Sequence, residues 1–302
     1  MTKWTRPASL EALHGFAASA GVTVFTDVPV VGPAWRGWSS ECPRRVLDVA
    51  VAGPGTGAVG PFEEDDFVAA LASGRSVHPL NTWGFADRTV FGHLATHQAF
   101  LERVWHPSGT VQSIALVAPG QCESNVAAAY LAAGFLIKEM PGDKPRTRRG
   151  GGGAGGRNDP WNAPQSKEDR LLHDLWDQRG RKGWWLAEVP VGFKLRHDEA
   201  GARRLDAVVV DWPGERHSSG QEDLTELADV VAKGAAVELI EAKRDLNTDA
   251  LGQLLCGERM FAESWPGVGH LVLTACVGKS CDEALSWFCS ERGISVEVPQ
   301  AS

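Results

Sequence analysis

The chain has 302 residues, a formal net charge of −8 and 43% hydrophobic residues, which predicts two domains with apolar cores. No apolar run is long enough to span a membrane and no signal-peptide segment opens the chain, so we expect a cytoplasmic protein without a membrane partner. The six cysteines form no CxxC pair, which argues against a disulfide framework.

The first half, residues 1–143, alternates helical and strand-like patterns. We predict a helix at Leu10–Ser19, strands at Gly21–Val30, Leu47–Val51 and Ile114–Pro119, and a helix at Ala127–Gly134. His93 and His97 stand four residues apart, a spacing that can bind a metal on a helix. No glutamate accompanies them as in the HExxH motif, so we predict an ordinary helical pair.

Residues 144–164 read as a linker. Arg148 and Arg149 precede a glycine-rich run from Gly150 to Gly156 that cannot form a core. We therefore predict a flexible segment, either a plain tether or a basic arm that touches a nucleic-acid backbone.

The second half, residues 165–302, has the pattern of a mixed sheet flanked by helices. The predicted helices are Asp169–Gln178 (with Ser166 as N-cap), Asp223–Ala232, Thr248–Phe261 and Asp282–Arg292. The predicted strands are Trp184–Val191, Leu205–Val210, Val237–Ala242, His270–Ala275 and Ile294–Val298.

Three charged residues stand on two of these strands. Glu241 and Lys243 lie two positions apart and share a strand face, and Asp206 follows Leu205 at the start of another strand. If the two strands are neighbours, Asp206 and Glu241 can share a divalent cation with Lys243 beside it.

Such a pair suits Mg²⁺ or Mn²⁺, because hard cations take oxygen ligands and keep several waters. A bound ion acidifies a water molecule and neutralises charge on a phosphoryl group. A lysine beside it can orient the water, accept its proton, or act as a fixed positive charge.

This arrangement resembles the PD-(D/E)xK, or restriction-endonuclease-like, nuclease superfamily. Asp206 matches the first acidic position, and Glu241-Ala242-Lys243 matches the second motif. The run from Glu241 to Leu255 is most similar to NucS/EndoMS-type endonucleases, and the glutamine matched by Gln253 often borders the site in the superfamily. The resemblance implies a restriction-endonuclease-like fold and metal-dependent hydrolysis of nucleic acid, with DNA the expected substrate. The long segment between Asp206 and Glu241 departs from the pattern, and we interpret it as an insertion.

A third acidic metal ligand has two candidates. Glu168 follows the predicted N-cap of the first helix of the second half and resembles the helix-one glutamate of Holliday-junction resolvases, whereas Glu188 lies on the first strand. Each has an ordinary alternative, since Glu168 also suits the helix dipole and Glu188 also suits a surface strand.

The two halves look like a duplication in which the first is degenerate. Val28-Pro29-Val30 parallels Val189-Pro190-Val191, and Asp27 and Asp48 remain as carboxylates in the first half. This alignment places Val117, Pro119 and Tyr130 at the positions of Glu241, Lys243 and Gln253. We therefore predict two restriction-endonuclease-like α/β domains, of which only the second is catalytic.

The sequence thus predicts a divalent-metal-dependent nuclease, with a homodimer or an intramolecular pseudo-dimer of the two halves as its assembly. The acidic net charge is unusual for a nucleic-acid binder, so local basic clusters would have to supply the contacts. Two alternatives stay open: a non-catalytic nucleic-acid-binding or defence-associated protein, and an assembly module without nucleic acid.

Overall fold

The chain folds into two compact units, Met1–Arg149 and Gly150–Ser302, in the computed structural model. The structure describes residues 6–32, 37–40, 42–53, 57–122, 124–140, 160–192, 203–219, 223–279 and 282–300. Most of the predicted linker lies outside these residues. No helix in the described ranges is long and apolar enough to cross a membrane.

The first unit contains four helices and six strands in its described part. They are α1 Arg6–Ala20, β1 Val22–Val31, β2 Arg45–Ala52, β3 Val59–Pro61, α2 Glu64–Ala72, β4 Val77–Ala86, α3 Arg88–Trp105, β5 Ile114–Cys122, α4 Ser124–Ala132 and β6 Leu136–Glu139. The strands form one sheet in the order β3-β1-β2-β4-β5-β6.

Both faces of this first sheet are covered by apolar side chains. Leu13 and Phe16 of α1 pack on one face with Val24 and Leu80. An edge-to-face aromatic contact between Phe67 of α2 and Trp105 of α3 belongs to the other core, which Phe25 of β1 joins.

The second unit repeats the same sequence of elements. They are α5 Lys167–Gln178, β7 Gly183–Val191, β8 Arg203–Val210, β9 Glu215–Ser219, α6 Leu224–Ala232, β10 Ala236–Asp245, α7 Thr248–Ser264, β11 His270–Lys279, α8 Glu283–Glu291 and β12 Ile294–Glu297. Its sheet runs β9-β7-β8-β10-β11-β12, the same topology as the first. Each pair of corresponding strands also keeps its parallel or antiparallel direction. The predicted mixed α/β sheets flanked by helices are therefore present in both units.

The start of the second unit is fixed by a cap and a tryptophan. The Ser166 side chain accepts from the Asp169 backbone N–H, and the Asp169 side chain accepts from the Ser166 N–H, so α5 begins with a capping box. Trp161 is 2% exposed, belongs to the core beneath α5, and donates from its indole to the Ser218 carbonyl at 2.9 Å. The interpretation of residues up to 164 as linker was wrong at this end, because burial of Trp161 anchors the segment to the fold.

Strands β3, β4 and β6 of the first unit were not predicted, and β4 changes the comparison of the halves. β4, which contains Pro79 and Gly84, lies between β2 and β5 in the centre of the sheet. Its counterpart by topology is β10, whereas β5 corresponds to β11. The predicted match of residues 114–119 with the Glu241 strand was therefore wrong by one strand.

Candidate active site

The two carboxylates predicted to lie together stand on neighbouring strands of the second sheet. β8 and β10 pair antiparallel with Ala207 opposite Ile240, so the next positions along the strands are Asp206 and Glu241. Ile240 belongs to the apolar core beneath α5. Because side chains alternate along a strand, Glu241 and Lys243 project from the opposite face of β10.

Three oxygen atoms surround the Lys243 ammonium. Its Nζ donates to Glu241 Oε1 at 2.7 Å and to the Ala242 carbonyl at 3.0 Å, and it lies 3.5 Å from Asp206 Oδ2. Asp206 Oδ2 also accepts from the Ala242 backbone N–H at 2.8 Å, which fixes the carboxylate against β10. We call these three acceptors, Asp206 Oδ2, Glu241 Oε1 and the Ala242 carbonyl oxygen, the oxygen cradle.

The charge state of Lys243 follows from these contacts. Burial alone would lower the pKa of its ammonium, but the charges of Asp206 and Glu241 together raise the pKa above its usual value. The Lys243 side chain is therefore protonated at neutral pH and is a poor proton acceptor in this arrangement. The Glu241 side chain is fully buried, so this ammonium compensates a carboxylate that water does not reach.

Glu188 joins the site from β7. It occupies the position opposite Asp206, between the pairs Ala187–Ala207 and Val189–Leu205. Its backbone is left-handed at φ 56°, a conformation that a residue without a special constraint rarely adopts. Burial, and then the charge of Asp206, raise the pKa of the Glu188 carboxyl, while Arg204 Nη1 lies 3.6 Å from its Oε2 and opposes the shift.

Glu168, the other candidate for a third acid, is partly exposed in the first turn of α5. Among the described residues no hydrogen bond or ion pair joins Glu168 to Asp206, Glu241 or Lys243. Its neighbour Asp169 acts electrostatically on Glu188, but that carboxylate is engaged in the cap of α5. The described contacts favour Glu188 over Glu168 as the acid nearest the pair.

Gln253 reaches the site through a residue that the sequence analysis did not single out. α7 begins at the N-cap Asn247, and Asp249 lies in its first turn. Gln253 Nε2 donates to Asp249 Oδ2 at 2.9 Å, one helical turn away. The Asp249 charge contributes to the raised pKa of Lys243, so this carboxylate is part of the site.

The donor set of the cradle fits a hard divalent cation. Two carboxylate oxygens and one carbonyl oxygen already converge on a single cationic group, and these are the ligand types that Mg²⁺ and Mn²⁺ take. No cluster of three or more His, Cys, Asp or Glu side chains that could hold a metal is found in the described part of the chain. An ion in the cradle would therefore rest on two side chains and the backbone, with water or substrate oxygens completing its shell.

The first unit carries different residues at the corresponding positions. Helices α3 and α7 begin at the N-caps Asp87 and Asn247. Asn81 lies six residues before the first of these caps, and Glu241 lies six residues before the second. Counted in the same way, the counterparts of Lys243 and Gln253 are Trp83 and His93. The predicted counterparts Val117, Pro119 and Tyr130 were thus wrong, because the missed strand β4 shifts the alignment.

The acidic positions on the first two strands of the sheets correspond more closely. Asp27 precedes Val28-Pro29-Val30 with φ 57°, as Glu188 precedes Val189-Pro190-Val191 with φ 56°. In the first unit Val28 pairs with Leu47, and Asp48 is the next residue. In the second unit Val189 pairs with Leu205, and Asp206 is the next residue. In the first unit, however, Asp48 Oδ1 accepts from the Asp27 backbone N–H at 3.2 Å.

Aromatic rings replace the charged pair in the first unit. The ring centroids of Trp83 and His93 lie 4.9 Å apart, and those of His93 and His97 lie 3.8 Å apart. His97 is buried, its Nδ1 lies 2.7 Å from the His93 carbonyl oxygen, and burial lowers its pKa to about 4. The described contacts of His93 and His97 are therefore with each other, with their own helix and with Trp83 of β4.

The described residues form an α/β protein of two units with one shared topology, and the second unit holds the cluster of Asp206, Glu241 and Lys243. No family model, curated protein or solved structure matches the chain at a significant level. The functional argument therefore rests on the geometry of the second unit.

Proposed function

We propose that the second unit is a restriction-endonuclease-like domain that hydrolyses phosphodiester bonds of nucleic acid with the help of Mg²⁺ or Mn²⁺, and that its substrate is DNA. The observation that carries the proposal is the oxygen cradle on adjacent strands, with a lysine two residues after the buried glutamate. A solvated sheet edge, the ordinary alternative for such a motif, has no reason to bury Glu241 completely.

Each residue has a role that its surroundings favour. Asp206, Glu241 and the Ala242 carbonyl would hold the ion, and Glu188 would hold a water or a second ion beside Asp206. When bound, the ion would supply Lewis-acid activation of water and neutralisation of phosphate charge. Lys243 keeps its proton, so it would orient a phosphate oxygen or the attacking water as a positive donor.

The first unit lacks the acid–lysine pair and is proposed to be non-catalytic. Counted from the helix caps, Asn81 and Trp83 take the places of Glu241 and Lys243, whereas the strand register sets Leu80 opposite Asp48. None of these side chains supplies a carboxylate for a hard cation. The alternative is that the whole chain, and not the first unit alone, binds nucleic acid without cutting it.

Cleavage of a substrate panel tests the proposal. Supercoiled plasmid, mismatched duplex, single-stranded DNA and RNA are incubated with the full chain and Mg²⁺ or Mn²⁺, beside Asp206→Asn and the matched first-unit variant Asp48→Asn. We expect metal-dependent cleavage of a DNA substrate that is lost in Asp206→Asn and kept in Asp48→Asn. Binding without cleavage in every variant would favour the non-catalytic alternative, and equal cleavage by Asp206→Asn would place the activity elsewhere.

A further inference from the structure

The Lys243 ammonium occupies the position that a divalent cation would need. All three oxygens of the cradle lie within 3.5 Å of its Nζ, and Glu241 Oε1 is only 2.7 Å away. A metal ion bound by the same oxygens would stand at a few ångströms from an ammonium that stayed in place. Positive charges so close, and largely shielded from water, repel each other strongly enough to weaken ion binding by about tenfold or more.

Lys243 can leave the cradle without unfolding the strand. Its side chain is a flexible four-carbon stem with a compact charge at the end, so rotation about the stem moves the ammonium by several ångströms. A displaced ammonium needs a new acceptor, because the side chain is only 20% exposed.

Asp249 is placed to be that acceptor. It lies in the first turn of α7, directly after β10, and its charge already acts on Lys243. The Gln253 side chain holds its Oδ2 at 2.9 Å, which fixes the carboxylate in position. Asp249 supplies none of the three cradle oxygens, so an ion bound in the cradle does not take up its carboxylate.

We propose that Lys243 is an exchangeable internal cation: it fills the oxygen cradle until a divalent ion displaces it, and Asp249 then receives the ammonium. The inference rests on the proposed metal site and adds a positioning residue to it. It predicts that Lys243 opposes metal binding and that Asp249 favours metal binding only through Lys243.

A thermodynamic cycle on Mn²⁺ affinity tests the exchange. Isothermal titration calorimetry with Mn²⁺ alone compares the full chain with Lys243→Met, Asp249→Asn and the double variant, after circular dichroism has shown that each is folded. Lys243→Arg keeps the charge and is the control for the stem, whereas Asp249→Asn keeps an acceptor for Gln253. Glu241→Gln removes a cradle oxygen and tests the metal site itself.

We expect Lys243→Met to bind Mn²⁺ at least about tenfold more tightly than the wild type, and Lys243→Arg to show no such gain. Asp249→Asn alone should weaken Mn²⁺ binding several-fold relative to the wild type. Added to Lys243→Met, the same substitution should change Mn²⁺ affinity little. Unchanged or weaker binding in Lys243→Met, or an equal effect of Asp249→Asn in both backgrounds, would overturn the exchange while leaving the metal site standing. If Glu241→Gln binds Mn²⁺ as the wild type does, the proposed metal site itself is wrong.

Discussion

Substitution of Lys243 by methionine should destabilise the metal-free second unit strongly. The Glu241 side chain is 0% exposed and its Oε1 accepts from Lys243 at 2.7 Å, so the variant leaves a buried carboxylate without its nearest positive charge. Removing one partner of a buried ion pair costs about 3–5 kcal/mol. Methionine keeps the volume of the stem, so little of this loss comes from a cavity.

Urea denaturation in the presence of a chelator measures the effect. Lys279→Met is the matched control, because that lysine is 61% exposed and its partner Asp245, 3.3 Å away, is 43% exposed, and a largely solvated pair is worth about 0–1 kcal/mol. Adding Glu241→Gln to Lys243→Met should recover most of the loss, since a neutral amide needs no counter-charge. A loss below about 1 kcal/mol for Lys243→Met alone would refute the claim that this ammonium compensates a buried charge.

Three further predictions concern pH and local structure. The pKa of His97 falls from 6.5 to about 4 in the fold, so its contribution to stability is full above pH 6.5 and is lost towards pH 4. That contribution amounts to about 3 kcal/mol, and urea denaturation against pH should show a shallower loss in His97→Gln than in the wild type. The raised pKa of Glu188 makes its ionised form unfavourable: its contribution is present below its unfolded pKa and is lost as pH rises through the folded one. Glu188→Gln should therefore raise the free energy of unfolding at pH 7 and do so less at pH 4, and an equal change at both pH values would contradict this reasoning. Ser166→Ala removes the N-cap side chain of α5 and should lower the free energy of unfolding, measured by thermal denaturation, by about 1 kcal/mol. Ser166→Asp keeps a capping oxygen and should not lower the free energy of unfolding.

Five of the six strands described in the second unit were predictable because their residues are largely apolar, whereas the polar strand β9 was missed. Leu205–Val210 and Val237–Ala242 fall inside β8 and β10, and their antiparallel neighbourhood brings Asp206 and Glu241 together. Alternation along β10 then places Glu241 and Lys243 on one face. The acid–lysine cluster thus follows from strand periodicity once the two strands are adjacent.

The central strand of the first unit could not be predicted in the same way. β4 contains Pro79 and Gly84, residues that are depleted in strand interiors, although Pro79 stands opposite Val49 of β2. Tertiary pairing on both sides overrides this weak local preference. Without β4, the alignment of the halves moved to β5 and gave the wrong counterparts for Glu241 and Lys243.

Two features of the site were not predicted from the sequence. Asp249 is recognisable only as the residue one turn before Gln253 on α7, a spacing that would have suggested it. The left-handed backbone of Glu188 recurs at Asp27, so a comparison of the two folded units reveals a feature that residue types alone do not indicate.

A Mn²⁺-soaked crystal of the full chain, examined by anomalous diffraction, tests the central claim most directly. We predict an anomalous peak within coordination distance of Asp206, Glu241 and the Ala242 carbonyl, with Lys243 displaced, and no peak beside Asp48 and Asn81. A peak at the first-unit position alone, or none at the oxygen cradle with Lys243 still in place at saturating Mn²⁺, would contradict the account.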